Sequence, residues 1–254
     1  MVNPMQEEFG RQAAVMASAP AFNEEHVLKR IVTAVVSAPA DRVLEVACGP
    51  GIVAEALAPH VGELVCVDAT AQMIALSKER LAKSGSSNVT CLEAFGETLP
   101  FGDAAFDTIV TRLSLHHFPD IAAVLSECRR VLSPQGRLVV ADIITSADPE
   151  EARLHNALEQ LRDPSHVRML SQLELLDTLL AGGFSPQSRE SWVQQRSFAD
   201  WAKIVSSPGR TTPLFEVMRS LCRAGLTAGL ELQEVGDELL FKHTWLLVVA
   251  ENSH

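Results

Sequence analysis

Tyrosine is absent from all 254 residues, and the other aromatics are few, ten phenylalanines and three tryptophans. No phenolic hydroxyl can therefore act as a base or orient a ligand anywhere in this chain. Long apolar runs are missing as well. None approaches the roughly 20 residues of a membrane-crossing helix, although 47% of the residues are hydrophobic. Basic side chains are in deficit, 21 against 32 acidic, for a formal net charge of −11. Such a surface repels phosphate backbones and argues against nucleic acid as a partner. The five cysteines, Cys48, Cys66, Cys91, Cys128 and Cys222, are odd in number and include no C-x-x-C pair. They read as small buried hydrophobes in a reducing compartment rather than a disulfide frame or zinc site, and no metal is expected. The polar, acidic opening Met1–Gly10 is no signal peptide, so a cytoplasmic location is expected.

What is present is an alternation of short apolar strands with amphipathic helices. Strands are expected at Arg42–Val46, Glu63–Val67, Val89–Leu92, Phe106–Thr111 and Arg137–Ile143, the last entered through a turn at Pro134-Gln135-Gly136. Helices are expected at Ile52–Leu57, at Thr70–Lys83 with Gly85 just past its end, and from Asp120 to Leu132. Strands separated by helices imply parallel pairing and a doubly wound α/β sheet. Ser146–Leu170 is rich in polar residues and reads as an inserted cap, with a surface helix over Glu150–Leu161 that carries His155. Ser171 and Glu174 form a capping box for a helix ending at Gly182-Gly183. Late strands are expected at Ser188–Gln195 and Glu238–Ala250, the second apolar enough to lie inside the sheet. Helical stretches at Phe198–Val205 and Leu214–Gly225 sit between them. Two further helical patterns, Glu8–Ala17 and Asn23–Ser37, precede the first strand and are expected to lie across the site as a lid.

The strongest chemical signal is Val43-Leu44-Glu45-Val46-Ala47-Cys48-Gly49-Pro50-Gly51. A strand ends beside an acidic residue, and a glycine-rich turn then opens a helix. Glycine permits the tight turn and lets a ligand approach the backbone, while the helix start offers free N–H groups to an anion. A ligand carrying both a carboxylate and an ammonium would use both features. Asp68 ends the second strand 17 residues after Gly51, where a carboxylate can accept hydrogen bonds from vicinal ribose hydroxyls.

Together with Glu97-Thr98-Leu99-Pro100-Phe101 before Phe106-Asp107, Leu113-Ser114-Leu115-His116-His117-Phe118, and Leu125–Ala141 with its Arg130–Gly136 turn, these stretches resemble the class I S-adenosylmethionine-dependent methyltransferases. The likeness is to their ubiquinone/menaquinone C-methyltransferase branch and covers roughly residues 8–145. It implies a Rossmann-like, doubly wound, mostly parallel sheet of seven strands with the last antiparallel. It also implies an N-terminal helical lid and a cap after strand five. One domain over 1–254 follows, with the lid at 1–40, a cofactor-binding core at 41–145, a cap and substrate region at 146–185, and the late strands and helices at 186–254. S-adenosylmethionine is the implied cofactor. Glu45, Gly49 and Gly51 would hold its methionine end, Asp68 its ribose, and the Ala94–Glu97 stretch, with Phe95, Gly96 and Glu97, its adenine. Ala47, Ala69, Met73 and Arg112 complete the implied cofactor site.

Two departures from the family pattern stand out. Ala47 occupies a position where glycine is common, which is expected to change little. Phe95 stands where a polar residue is frequent, which leaves backbone contacts and stacking for the adenine. Phe9-Gly10-Arg11-Gln12-Ala13 resembles the family lid, but Met16 takes the place of its usual tyrosine.

The implied activity is methylation of a small-molecule acceptor. Two alternatives stand beside it: a binder of S-adenosylmethionine or its demethylated product that methylates nothing, and a nicotinamide oxidoreductase, since Gly49–Ala54 also fits G-x-G-x-x-A. His117 and His166 are the candidate general bases. His116, His117, His166 and Arg168 are the candidate substrate contacts, and loop positioning is the competing role for the first pair. Arg112, Asp142 and Trp192 are further candidates at strand ends. The late helices are compatible with a homodimer.

Overall fold

Most strands of the first half return through a helix on a sheet face, the third to the fourth through a loop alone, and such crossovers bring the next strand back parallel. In the computed structural model, which describes residues 4–36, 42–205 and 207–253, five strands pair in this way. They are β1 (Arg42–Val46), β2 (Glu63–Asp68), β3 (Val89–Glu93), β4 (Phe106–Arg112) and β5 (Leu132–Ile144). β6 (Phe184–Ser197), β7 (Gln233–Val235) and β8 (Glu238–Asn252) complete a sheet of order β3-β2-β1-β4-β5-β8-β6, with β7 paired to β8. The last strand is antiparallel and lies between β5 and β6. Three-residue β7 is an eighth strand that sequence alternation did not signal. The expected turn at Pro134–Gly136 is absorbed into β5, where pairing jumps from Phe106↔Leu132 to Thr108↔Arg137 and loops this segment out of the ladder.

Side chains of β1 alternate between two apolar layers. Leu44 and Val46 join one cluster with Val124, Leu125 and Cys128 of α5 (Ile121–Val131) and Leu175 and Leu179 of α7 (Gln172–Ala181). Val43 joins the other with residues of α2 (Glu25–Val35), α3 (Ile52–Leu57) and α4 (Ala71–Ser84). Burial on both faces explains the continuous apolar strands. The capping box of Ser171 and Glu174 is present at the start of α7, and Gly85 ends α4 in the left-handed conformation.

The two N-terminal helices play different parts. α1 (Pro4–Ser18) lies over the carboxyl ends of the strands, tied there by Gln6 to the Ala69 carbonyl and by Arg11 to the Val205 carbonyl. α2 is no lid: Val27, Ile31 and Val35 are fully buried in a sheet layer. Met1–Asn3 and Ser37, the end of the second expected helix, lie outside the described residues. The cap is also composed differently from expectation. α7 packs under the sheet, and α6 (Pro149–Arg162) instead shares a third apolar cluster with α8 (Phe198–Val205), α9 (Pro208–Arg223) and the start of β8. That packing buries His155, placed on the surface by its polar helix, to 2% exposure.

The strand order reverses between β1 and β4. In open α/β sheets ligands bind at such a switch point, outside the carboxyl ends of the strands. Glu45, Asp68, Arg112 and Asp142 all come from that edge.

Candidate active site

The loop after β1 is built around left-handed residues. Gly49 and Gly51 have φ of +53° and +78°. A Cβ on Gly49 would meet nothing within 4 Å, so its face is open to the cleft. A Cβ on Gly51 would lie 2.5 Å from Ser77 Oγ and 3.0 Å from Ser77 Cα, so this glycine lets α3 approach α4. Gly51→Ala combines left-handed strain with overpacking and is expected to destabilise the fold by roughly 2–5 kcal/mol, or about 5–15 °C in Tm. A calorimetric melt checks it; an unchanged Tm would refute the close-packing account. Ala47 also has positive φ, 56°. Alanine in place of glycine therefore matters more than expected, holding about 1–2 kcal/mol of strain beside the cleft.

Asp68 is anchored at both oxygens, by the Gly49 N–H at 2.9 Å and the Thr70 N–H at 2.9 Å. Each oxygen keeps a lone pair for a ligand hydroxyl. Burial raises its pKa against the pull of these N–H donors. Glu45 is 2% exposed, and burial lifts its pKa to about 8, opposed by the Arg112 guanidinium. Arg112 donates from Nη1 to the Phe22 carbonyl at 2.9 Å, while its buried Nε and Nη2 have no partner among the described residues. A buried acid and a buried guanidinium with unmet donors, side by side above an open glycine, fit the ammonium and carboxylate of an amino acid.

The cavity over these residues is also lined by Ala69, Met73, Phe95, Gly96 and Glu97, so the structure brings together all eleven candidate cofactor residues except Gly51, whose part is to pack α3 on α4. Phe95 is half exposed at the rim, and Phe118 sits 3.3 Å from where a Cβ on Gly96 would be. Phe9, Met16 and Phe22 close the cavity from the N-terminal side. Nothing local to Phe22 points at the cleft, and Phe118 enters the sequence reading only as the end of the Leu113–Phe118 stretch.

A second cavity, of about 540 Å³, adjoins the first and shares with it Phe9, Met16, Phe22, Leu113 and His117. Leu113 holds a φ of +51° at this junction. His116 Nδ1 lies 2.7 Å from Asp142 Oδ1, and Asp142 is held by the N–H groups of Leu115 and Ile143. Burial opposes charge on His116, but the Asp142 carboxylate prevails and raises its pKa above 6.5. Burial would raise Asp142, yet His116 and the N–H donors bring it below 3.8. His116 Nε2 has no hydrogen bond among the described residues, and its ring lines the second cavity.

His117 donates from Nδ1 to the Ser165 carbonyl at 3.0 Å and packs edge-on against Phe9. Burial and the neighbouring His116 push its pKa down to about 3. His166 donates from Nε2 to Asn156 Oδ1 at 2.8 Å and sits behind His116, lining neither cavity; burial lowers its pKa to about 4. Arg168 is half exposed, paired to Glu174, and lines neither cavity. Neither is placed to touch an acceptor, because the cap loop is tied by the Val167 and Arg168 N–H groups to the His116 carbonyl and turns both side chains away. Trp192 stacks on Trp245 in the sheet layer, outside both cavities.

The switch-point cleft, the anchored ribose-type carboxylate and the paired acid and guanidinium define a Rossmann-like protein that binds an amino-acid nucleoside. Residues 44–140 match the family described as "Methyltransferase domain". A Bacillus subtilis (strain 168) protein named "Uncharacterized methyltransferase YcgJ" is 32% identical over 200 residues, 79% of either chain. Its crystal structure superposes with a TM-score of 0.84 at 27% identity, covering 91% of this chain and 100% of that one. The demethylmenaquinone methyltransferase of Clavibacter sepedonicus is 28% identical over 165 residues, 65% of this chain and 64% of that one. The chain belongs to the S-adenosylmethionine-dependent methyltransferases of this family. Neither the non-methylating nor the nicotinamide alternative is favoured. No helix among the described residues is long and apolar enough to cross a membrane.

Proposed function

We propose that the chain methylates a small organic acceptor held in the second cavity, with His116 as general base. The observation that carries this reading is the shared wall of Phe9, Met16, Phe22, Leu113 and His117 between the cofactor cleft and a cavity of about 540 Å³. That volume is in the range of small-molecule pockets. The relative that acts on demethylmenaquinone, by its name, is consistent with an acceptor of this size.

In this reading Glu45 and Arg112 receive the ammonium and carboxylate of the methionine end, and Asp68 the ribose hydroxyls. When bound, S-adenosylmethionine supplies an electrophilic methyl group on a sulfonium. The apolar lid residues Phe9, Met16 and Phe22 exclude water from the junction, which suits a displacement in which charge is lost. His117, neutral and donating from Nδ1, leaves Nε2 free to accept a hydrogen bond from the acceptor and orient it. His116 is better placed than His117 or His166 to take a proton. Asp142 holds its tautomer and makes it basic, whereas burial leaves the other two weak bases.

The charge of −11 and the five free thiols favour a cytoplasmic protein with no nucleic-acid partner, working as one domain. The test is incubation of purified protein with methyl-labelled donor and a panel of phenols, hydroquinones and acidic carbon compounds. Label is expected in at least one acceptor with matching release of S-adenosylhomocysteine. Tight donor binding with transfer only to protein or nucleic acid would overturn the small-acceptor reading.

A further inference from the structure

Behind the acceptor cavity, α6 and β8 bring together three side chains that methyl transfer does not use. His155 and Glu159 are four residues apart on α6 and project from one face. His243 approaches from β8, and its ring lies near-parallel to that of His155, at 17° with centroids 5.7 Å apart. The three are 2%, 4% and 3% exposed. One ligand-type atom from each lies within 4.8 Å of the other two.

The hydrogen bonding is incomplete in a directed way. Among the described residues neither ring nitrogen of His155 has a hydrogen-bond partner, and His243 Nε2 has only the long contact to Glu159 Oε1 at 3.5 Å. Buried polar atoms left this way are destabilising unless something else satisfies them. Arg162 occupies only Glu159 Oε2, from Nε at 3.0 Å and Nη2 at 2.8 Å, which leaves Oε1 for the histidines. Trp201 and Phe241 pack edge-on against the His243 ring.

We infer that His155, Glu159 and His243 bind a divalent transition-metal ion whose open positions face the acceptor cavity, which Glu159 and His243 line. Two imidazoles and one carboxylate with free positions form a donor set suited to Zn²⁺ or Fe²⁺. Ligand atoms around such an ion stand about 3.3 Å apart, a closure that small side-chain rotations supply. Arg162 then acts as the outer partner that orients the ligating carboxylate. The ion would hold an oxygen or thiolate of the acceptor at the far end from the methyl group. This last role rests on the acceptor reading above; the metal site itself does not.

The experiment uses the full chain, stripped with a chelator and titrated with Co²⁺ while visible d–d absorption is followed, then with Zn²⁺ in competition. About one ion per chain is expected, with displacement by Zn²⁺. His155→Ala and Glu159→Gln are each expected to weaken Co²⁺ binding by more than about 100-fold, beyond what loss of an outer partner costs. Their affinity for S-adenosylhomocysteine should stay at the wild-type value, which also reports folding. No stoichiometric uptake by the wild-type chain overturns the inference even if both variants unfold, as does uptake that survives both substitutions. A bound ion without transfer to any small acceptor counts against the acceptor reading and leaves the metal site standing.

Discussion

His116→Gln is expected to lower kcat by about 10²- to 10⁴-fold, the range for loss of a general base, with S-adenosylhomocysteine affinity within about threefold of wild type, since less than 1 kcal/mol of cofactor binding is at stake. Asp142→Asn separates a base from a scaffold. The active form of His116 is the neutral imidazole, so activity rises with pH through its pKa. Asp142 holds that pKa above 6.5. Removing the carboxylate charge therefore moves the acid limb of kcat/KM to lower pH and reduces the plateau. If Asp142 merely braced the Leu113–Phe118 loop, the rate would fall and the limb would stay in place; that outcome would remove His116 as the base.

The same pair makes a stability prediction of the opposite sign. A raised His116 pKa contributes stability that is full below 6.5 and is lost as pH rises through the folded value. A lowered Asp142 pKa contributes stability that is present above 3.8 and is lost as pH falls through its folded value. The ion pair therefore stabilises most between about pH 4 and pH 6.5. Above that window activity should climb while this part of the stability declines. Thermal melts and rate profiles on one set of buffers would show the crossing.

Asp68→Ala is the second large effect, on binding. It removes the acceptor for two ligand hydroxyls, each bond to a charged group contributing roughly 1.5–3 kcal/mol, so affinity should fall at least about 100-fold. It also strands the Gly49 and Thr70 N–H groups. Asp68→Asn keeps one acceptor oxygen and should lie between the two. Calorimetric titration with S-adenosylhomocysteine measures both. Wild-type affinity in Asp68→Ala would mean that the nucleoside does not lie across the end of β2.

Much of this was legible along the chain where the physics is local. Four of the five parallel strands were anticipated to within one residue because each is a compact apolar run, while β5 starts five residues earlier than expected because the turn segment joins it. That the candidate cofactor residues meet at one cleft was legible because strand-end carboxylates and glycine turns are local signals, and Gly49 and Asp68 lie within twenty residues of one another. Ala47 was misjudged for a related reason: residue type was visible, but its φ of 56° was not. The His116–Asp142 pair was not legible. His116 lies in the turn after β4 and Asp142 near the end of β5, and the sheet register, with Arg112 beside Ala141, brings them to 2.7 Å. His155 was misplaced because its burial comes from α8, α9 and β8, all supplied more than 40 residues later.

Periodicity, turn chemistry and strand-end acids were enough to specify a doubly wound sheet and a nucleoside cleft, since those depend on neighbours a few positions away. Which histidine is basic, which are shut off from water, and which gather around one buried carboxylate depend on desolvation and on partners brought in across the sheet. Those are properties of the packed molecule, and no stretch of chain carries them alone.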